Sequence, residues 1–228
     1  MDVKNKNRIG YKKTRVGWIP EEWRVLELQA VSGRITKGST PTTYGFSWVE
    51  PTPEAVPFLR SECVSKEGFS EDGLQYISKD TNAFLERSQI KSGDLLMTIT
   101  GNVGRVVIFP EQYKFANINQ HIARIRVNSN ATESIFVFQA LQLSFYSKYY
   151  RRILTGQAYP QISLKQVRET PIPLPPLSEQ EAIAGVLECW DKGIKNLELR
   201  IEKKRNIKKG LMQQLLSGKQ RLPGFSGE

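Results

Sequence analysis

A chain of 228 residues with 39% hydrophobic side chains is long enough for one well-filled core and an appendage, not for two full domains. Its formal net charge of +10 gives that folded unit a strongly cationic surface, for which a polyanion is the natural partner. A single histidine, His121, excludes a histidine-rich metal site and a paired-histidine acid–base centre, so neither a catalytic nor a metal site is expected.

No run approaches the roughly 20 apolar residues of a membrane span. The first eight residues, Met1 to Arg8, lack the apolar core of a signal peptide, which predicts a cytoplasmic location and no membrane partner. Residues 1–16 hold Lys4, Lys6, Arg8, Lys12, Lys13 and Arg15 against Asp2, the composition of a flexible basic arm. Order is expected to begin at residue 17, where Trp18 and Trp23 flank Pro20 and anchor the chain to its core.

From Leu28 to Val127 short apolar runs alternate with Gly, Pro, Ser and Asn clusters, as in strands joined by turns. The clearest hairpin runs from Asp94 to Ile99, turns at Gly101-Asn102-Val103-Gly104 and returns from Arg105 to Phe109. The turn has the outline of a backbone-clamping Gly-x-x-Gly loop, but that pattern is short, and a hairpin turn is the simpler reading. Asp94 reads as solvation of a hairpin end. In the following strand Arg124 and Arg126 alternate with Ile125 and Val127, which predicts one buried and one cationic face.

Between Thr132 and Leu154 the period lengthens, and Ile135, Phe138, Leu141, Phe145 and Tyr149 fall on one stripe of a single amphipathic helix. Gly156 stops it. These elements together form a domain over residues 17–169. Cys63 and Cys189 have neither metal nor redox spacing and read as reduced thiols. Residues 170–177, with Pro171, Pro173, Pro175 and Pro176, cannot be helical and are expected to form an extended strap.

A long helix then occupies 178–217, opened by a Ser178/Glu181 capping box and closed by Gly218, with a tail over 218–228. At about 1.5 Å per residue it is a rod of roughly 60 Å. Steps of four and three residues join Ile183, Leu187, Trp190, Ile194, Leu197, Ile201, Leu211 and Leu215 into a seam, interrupted at Lys204 and Lys208. The chain has no second helix of matching length, so the partner expected is another copy, giving a homodimer. Glu179, Glu181, Glu188 and Asp191 lie in the first half, and Arg200, Lys203, Lys204, Arg205, Lys208 and Lys209 in the second. An antiparallel pair sets acid against base and opposes the helix dipoles.

No phosphate-cradling Gly-x-x-x-x-Gly-Lys-Ser/Thr and no Gly-x-Gly-x-x-Gly loop is present, so no cofactor is expected. Loop residues suited to base edges or phosphates are Lys37, Thr40, Thr43, Tyr44, Arg60, Lys66, Arg105, Asn119 and Gln157.

Several segments resemble the specificity subunit of type I restriction–modification systems. They are Gly17-Trp18-Ile19-Pro20 with Trp23, Lys37-Gly38-Ser39-Thr40-Pro41, Gly93-Asp94-Leu95-Leu96 running to Gly104, and Gly156-Gln157 with Pro160-Gln161-Ile162-Ser163. The most specific runs from Ile172-Pro173-Leu174-Pro175-Pro176-Leu177-Ser178-Glu179-Gln180 into Leu211-Met212-Gln213-Gln214-Leu215-Leu216. The resemblance implies an α+β fold, in which a mixed-sheet target-recognition domain is followed by one long coiled-coil helix. It implies a non-catalytic reader of one part of a split double-stranded DNA site, assembled with methyltransferase and restriction subunits. The family commonly has two recognition domains and two helices, so this chain resembles a half-length form. Two copies then predict an interrupted inverted repeat, with half-site centres on the order of one to two turns of about 34 Å apart. The alternative is a stand-alone coiled-coil DNA-binding regulator.

Overall fold

The computed structural model describes residues 8–128, 130–156 and 158–225. It divides into two units, Met1–Ala184 and Gly185–Glu228. The first is an α+β domain. Strands β1 (Tyr11–Thr14) and β2 (Gly17–Pro20) form a hairpin, followed by β3 (Arg24–Glu27), β4 (Ser32–Lys37), β5 (Val56–Leu59) and β6 (Gln75–Ile77). After α1 (Lys79–Phe84) come β7 (Gln89–Lys91), β8 (Leu95–Thr98), β9 (Val106–Ile108), β10 (Phe115–Ile118) and β11 (Ile122–Val127). Helices α2 (Ser134–Leu141), α3 (Ser144–Ile153) and α4 (Leu164–Arg168) precede β12 (Pro171–Leu174) and the long helix α5 (Leu177–Leu216).

Two four-stranded sheets, ordered β4-β11-β8-β9 and β6-β5-β10-β7, build the body; β10 runs parallel to β5, so the second is mixed. The strand β8 explains their stacking. Leu95 and Met97 point into one core with Val137, Leu141, Tyr146 and Tyr150 of the helices. Leu96 points the other way, into a second core with Leu59, Ile90 and Ile118 of the mixed sheet. A strand covered on both faces has no polar side, which is why its sequence reads as an apolar run.

That layering corrects several expectations. Arg124 does not lie on a cationic face: it shares the inter-sheet side of β11 with Ile122 and is 2% exposed. Its guanidinium donates through Nη1 to the Gln89 carbonyl, and desolvation, then the charge of Arg126, lowers its pKa. Arg126 is tied to Asp94 through Nε and Nη2 at 2.7 and 2.6 Å. Asp94 is therefore buried in an ion pair and also accepts from the Lys91 amide at 2.9 Å; it does not solvate a hairpin end.

The stretch Thr132–Leu154 is two helices, not one, because Leu143 adopts an extended backbone with φ −59° and ψ 142°. The buried apolar side chains there are Phe136, Val137, Ala140, Leu141, Tyr146 and Tyr150, whereas Ile135, Phe138, Phe145 and Tyr149 only border the core. The basic arm is shorter than its composition suggests, since Tyr11–Thr14 pair with Gly17–Pro20. The proline strap is extended but is no free connector: Pro171–Leu174 are buried and pair with Arg24–Glu27. Proline is tolerated in this two-stranded ladder because one side of each strand needs no amide donor.

Helix α5 starts one residue before its expected position. Its first turn closes on Pro176, whose carbonyl accepts from Glu179 and Gln180 at 3.0 Å, so Ser178 is inside the helix and not its cap. A complete capping box occurs instead at α4, between Ser163 and Gln166. At the far end Gly218, with φ 72°, donates to Leu215 at 3.2 Å and ends the helix as its position predicts. Ile183 and Ala184 pack on the domain core, which removes Ile183 from the seam. Within the second unit the remaining seam residues are solvent-facing, Trp190 at 70% and Leu197 at 57% exposure, while Leu215 is half-buried.

Candidate nucleic-acid interface

The ends of β4, β5, β8 and β10 meet at one edge of the stacked sheets. Gly38 makes the meeting possible. A Cβ there would sit 1.8 Å from the Ile118 carbonyl oxygen, so only glycine lets the chain leaving β4 cross the β10–β11 connection. The crossing sets Lys37 and Thr40 beside Asn119, Gln120 and His121. Thr40 donates through Oγ1 to Oε1 of Gln120, and Nε2 of Gln120 lies 3.0 Å from Nε2 of His121. The side chain of Asn119 accepts from the His121 amide at 3.0 Å, while its own amide donates to the Leu59 carbonyl at 3.0 Å.

A second loop reaches the same edge. Gly101 donates to the Pro160 carbonyl at 2.8 Å and Ile162 to the Ile99 carbonyl at 3.0 Å, docking residues 158–162 on the hairpin turn. Gly156, with φ 82°, lies where a Cβ would approach the Tyr159 oxygen to 2.5 Å. Between the two loops lies a cleft of about 520 Å³ lined by Thr40, Trp48, Arg60, Thr100, Gly101, Asn119, Gln120, His121 and Tyr159 among others. A neighbouring cleft of about 370 Å³ shares Thr100, Gln120 and His121 and adds Lys37, Thr155 and Gln161. Together they form one groove.

The groove collects Lys37, Thr40, Arg60 and Asn119 from the expected residues. Thr43 and Tyr44 follow on an exposed 3₁₀ turn, Pro41–Tyr44, with the Tyr44 ring against Phe84 at 5.3 Å. Arg105 lies at the start of the returning hairpin strand and lines a separate cleft, which touches the groove at Gly101. Lys66 is not brought in; it is exposed on the turn between Ser65 and Gly68. Gln157 lies outside the described residues.

Trp48 and Tyr159 are groove residues that the sequence did not single out, because no local pattern separates a rim aromatic from a core one. Tyr159 is 75% exposed, with its ring free for stacking or apolar contact. The only charge pair at the rim is Arg60 with Glu62 at 2.8 Å, among the described lining residues.

Chemically the groove offers amide, hydroxyl, imidazole and guanidinium groups on a scaffold fixed by backbone bonds. These are the groups that read base edges: Gln or Asn pairs bidentately with adenine, Arg with guanine, and aromatic or methyl surfaces meet thymine. Among the described residues no cluster of three or more His, Cys, Asp and Glu could hold a metal ion. No described helix is long and apolar enough to cross a membrane.

The family model described as the type I restriction modification DNA specificity domain matches residues 20–205. Among curated relatives, the putative type I restriction enzyme MjaX specificity subunit of Methanocaldococcus jannaschii is 27% identical over 212 residues, covering 91% of this chain and 48% of the relative. The MjaVIII specificity subunit of the same organism is 27% identical over 220 residues, covering 95% and 50%. The crystal structure of the HsdS subunit from Thermoanaerobacter tengcongensis shares the fold, with a TM-score of 0.60, 21% identity, and 92% of this chain matched to 52% of that one. The chain thus spans about half the length of the curated relatives it matches.

Proposed function

The chain belongs to the type I restriction–modification DNA specificity domain family, and from that premise we propose that it reads one part of a bipartite double-stranded DNA site without catalysing a reaction. The observation that carries this reading is the groove, where four chain segments bring Lys37, Thr40, Arg60, Asn119, Gln120 and Tyr159 to one edge of the stacked sheets. The net charge of +10 supplies the long-range attraction to phosphate that such a reader needs.

In this reading the exposed seam of α5, from Leu187 to Leu215, pairs antiparallel with the same helix of a second copy. The acidic first half of one helix then faces the basic second half of the other. Two copies would set two identical readers a fixed distance apart, and the site would be an interrupted inverted repeat. Methyltransferase subunits, and through them a restriction subunit, would dock on this frame in the cytoplasm.

Expression of the chain with its genomic neighbours, followed by a methylation map, tests the proposal. An interrupted, two-part methylated motif that disappears when the chain is omitted is the expected result. A motif with unrelated halves overturns self-pairing, and methylation independent of the chain overturns its role as reader. Co-purification with a methyltransferase subunit distinguishes this function from that of a free-standing DNA-binding regulator.

A further inference from the structure

Helix α3 turns a second cationic surface toward the same edge. Its inward face is fixed by two buried tyrosines: Tyr146 donates to the Pro171 carbonyl at 2.7 Å, and the Tyr150 hydroxyl lies 3.1 Å from that of Thr170. Its outward face exposes Ser144, Ser147, Lys148, Arg151 and Arg152, with no acidic residue anywhere from Ser144 to Ile153. Among the described residues, none of Lys148, Arg151 and Arg152, nor Arg105 across from them, has an ion-pair partner. A cleft of about 320 Å³ separates the helix from the hairpin turn and is lined by Gly101, Asn102, Arg105, Ser147 and Arg151. Gly101 also lines the reading groove, so the cationic face begins where the groove ends.

We propose that α3, with Arg105, holds the sugar-phosphate backbone of the duplex whose bases occupy the groove, setting register and affinity but not sequence. This rests on the groove being a DNA reader. Three cations on a helix already anchored, with Arg105 facing them across the cleft and no carboxylate partner for any of the four among the described residues, suit phosphate contacts that cost little ordering on binding. A protein-docking face would carry an apolar centre, and the outward side of α3 has none.

The full-length chain with Lys148→Gln, Arg151→Gln and Arg152→Gln tests this, alongside Arg105→Gln alone. The probes are a duplex that the wild-type chain selects from a random-sequence pool and a scrambled duplex of equal length. Each lost phosphate contact removes about 0.9 from the slope of log affinity against log salt, so the triple variant should lose roughly 2–3 and Arg105→Gln roughly 1. Affinity for both duplexes should fall by the same factor, leaving their ratio unchanged, with the melting temperature retained. An unchanged slope overturns the proposal, as does an altered ratio, which would make these residues base readers. Intact DNA binding with loss of a co-purifying methyltransferase subunit also overturns it, in favour of a protein-docking face. A wild-type chain that selects no sequence overturns the groove reading itself, and this proposal with it.

Discussion

Nε1 of Trp23 donates to Oε2 of Glu179 at 3.0 Å, joining the start of the domain to the first turn of α5 across 156 residues of chain. The next residue completes the joint. Gln180 is buried, accepts from the Glu133 amide at 3.0 Å and donates to the Pro175 carbonyl at 2.9 Å. The start of the long helix is therefore set by directional bonds as well as by apolar packing.

Gln180→Ala leaves a buried amide and a buried carbonyl without partners. A loss of about 1–3 kcal/mol is expected, read as a fall of several degrees in Tm. A variant that melts with the wild type would show that the joint is not held this way.

Gly38→Ala places a methyl group against the Ile118 carbonyl, and backbone on both sides must move. Destabilisation of about 3 kcal/mol, at the upper end for overpacking, should appear in urea titration. Gly33→Ala serves as the control, since an added Cβ there would lie 4.0 Å from its nearest neighbour, the Arg126 carbonyl oxygen.

Gln120→Ala removes the central member of the Thr40–Gln120–His121 chain. If it reads a base edge, about 1–3 kcal/mol of discrimination disappears at one position of the site, roughly 5- to 150-fold, while other positions keep their preference. Selection from random-sequence duplexes, compared position by position, gives the answer.

Leu197→Asp puts a charge at the middle of the exposed seam. The self-associated form should give way to monomer in sedimentation velocity at micromolar concentration. A wild-type chain that is already monomeric there contradicts pairing through α5.

Burial pushes the Cys63 thiol up to about 11 from its ordinary 9. The folded state therefore holds this proton more tightly than the unfolded state. The associated stability is complete below about pH 9 and is lost as pH rises toward 11. An aromatic disulfide reagent at pH 8 should titrate one thiol, the exposed Cys189, in the native chain and two after denaturation.

The hairpin of β8 and β9 was legible because its pattern is local: an apolar run, a double-glycine turn and a second run, with Leu95 opposite Ile108 as the spacing requires. The long helix was legible for the same reason. Arg124 was not, because alternation tells which residues share a face but not that a second sheet covers it. Nor was the break at Leu143, which has neither glycine nor proline to mark it. The groove was half legible. Polar loop residues can be named from sequence, but their convergence depends on the crossing at Gly38 and on the docking of residues 158–162 against Gly101.

The pairing of β3 with β12 sets Leu26 opposite Ile172, and Leu28 donates to the Thr170 carbonyl at 2.8 Å. The two ends of the reading body thus leave the framework side by side, through one short ladder. Because both ends are held by this one ladder, a segment of different sequence between Glu27 and Pro171 would meet the rest of the chain through the same backbone pairs.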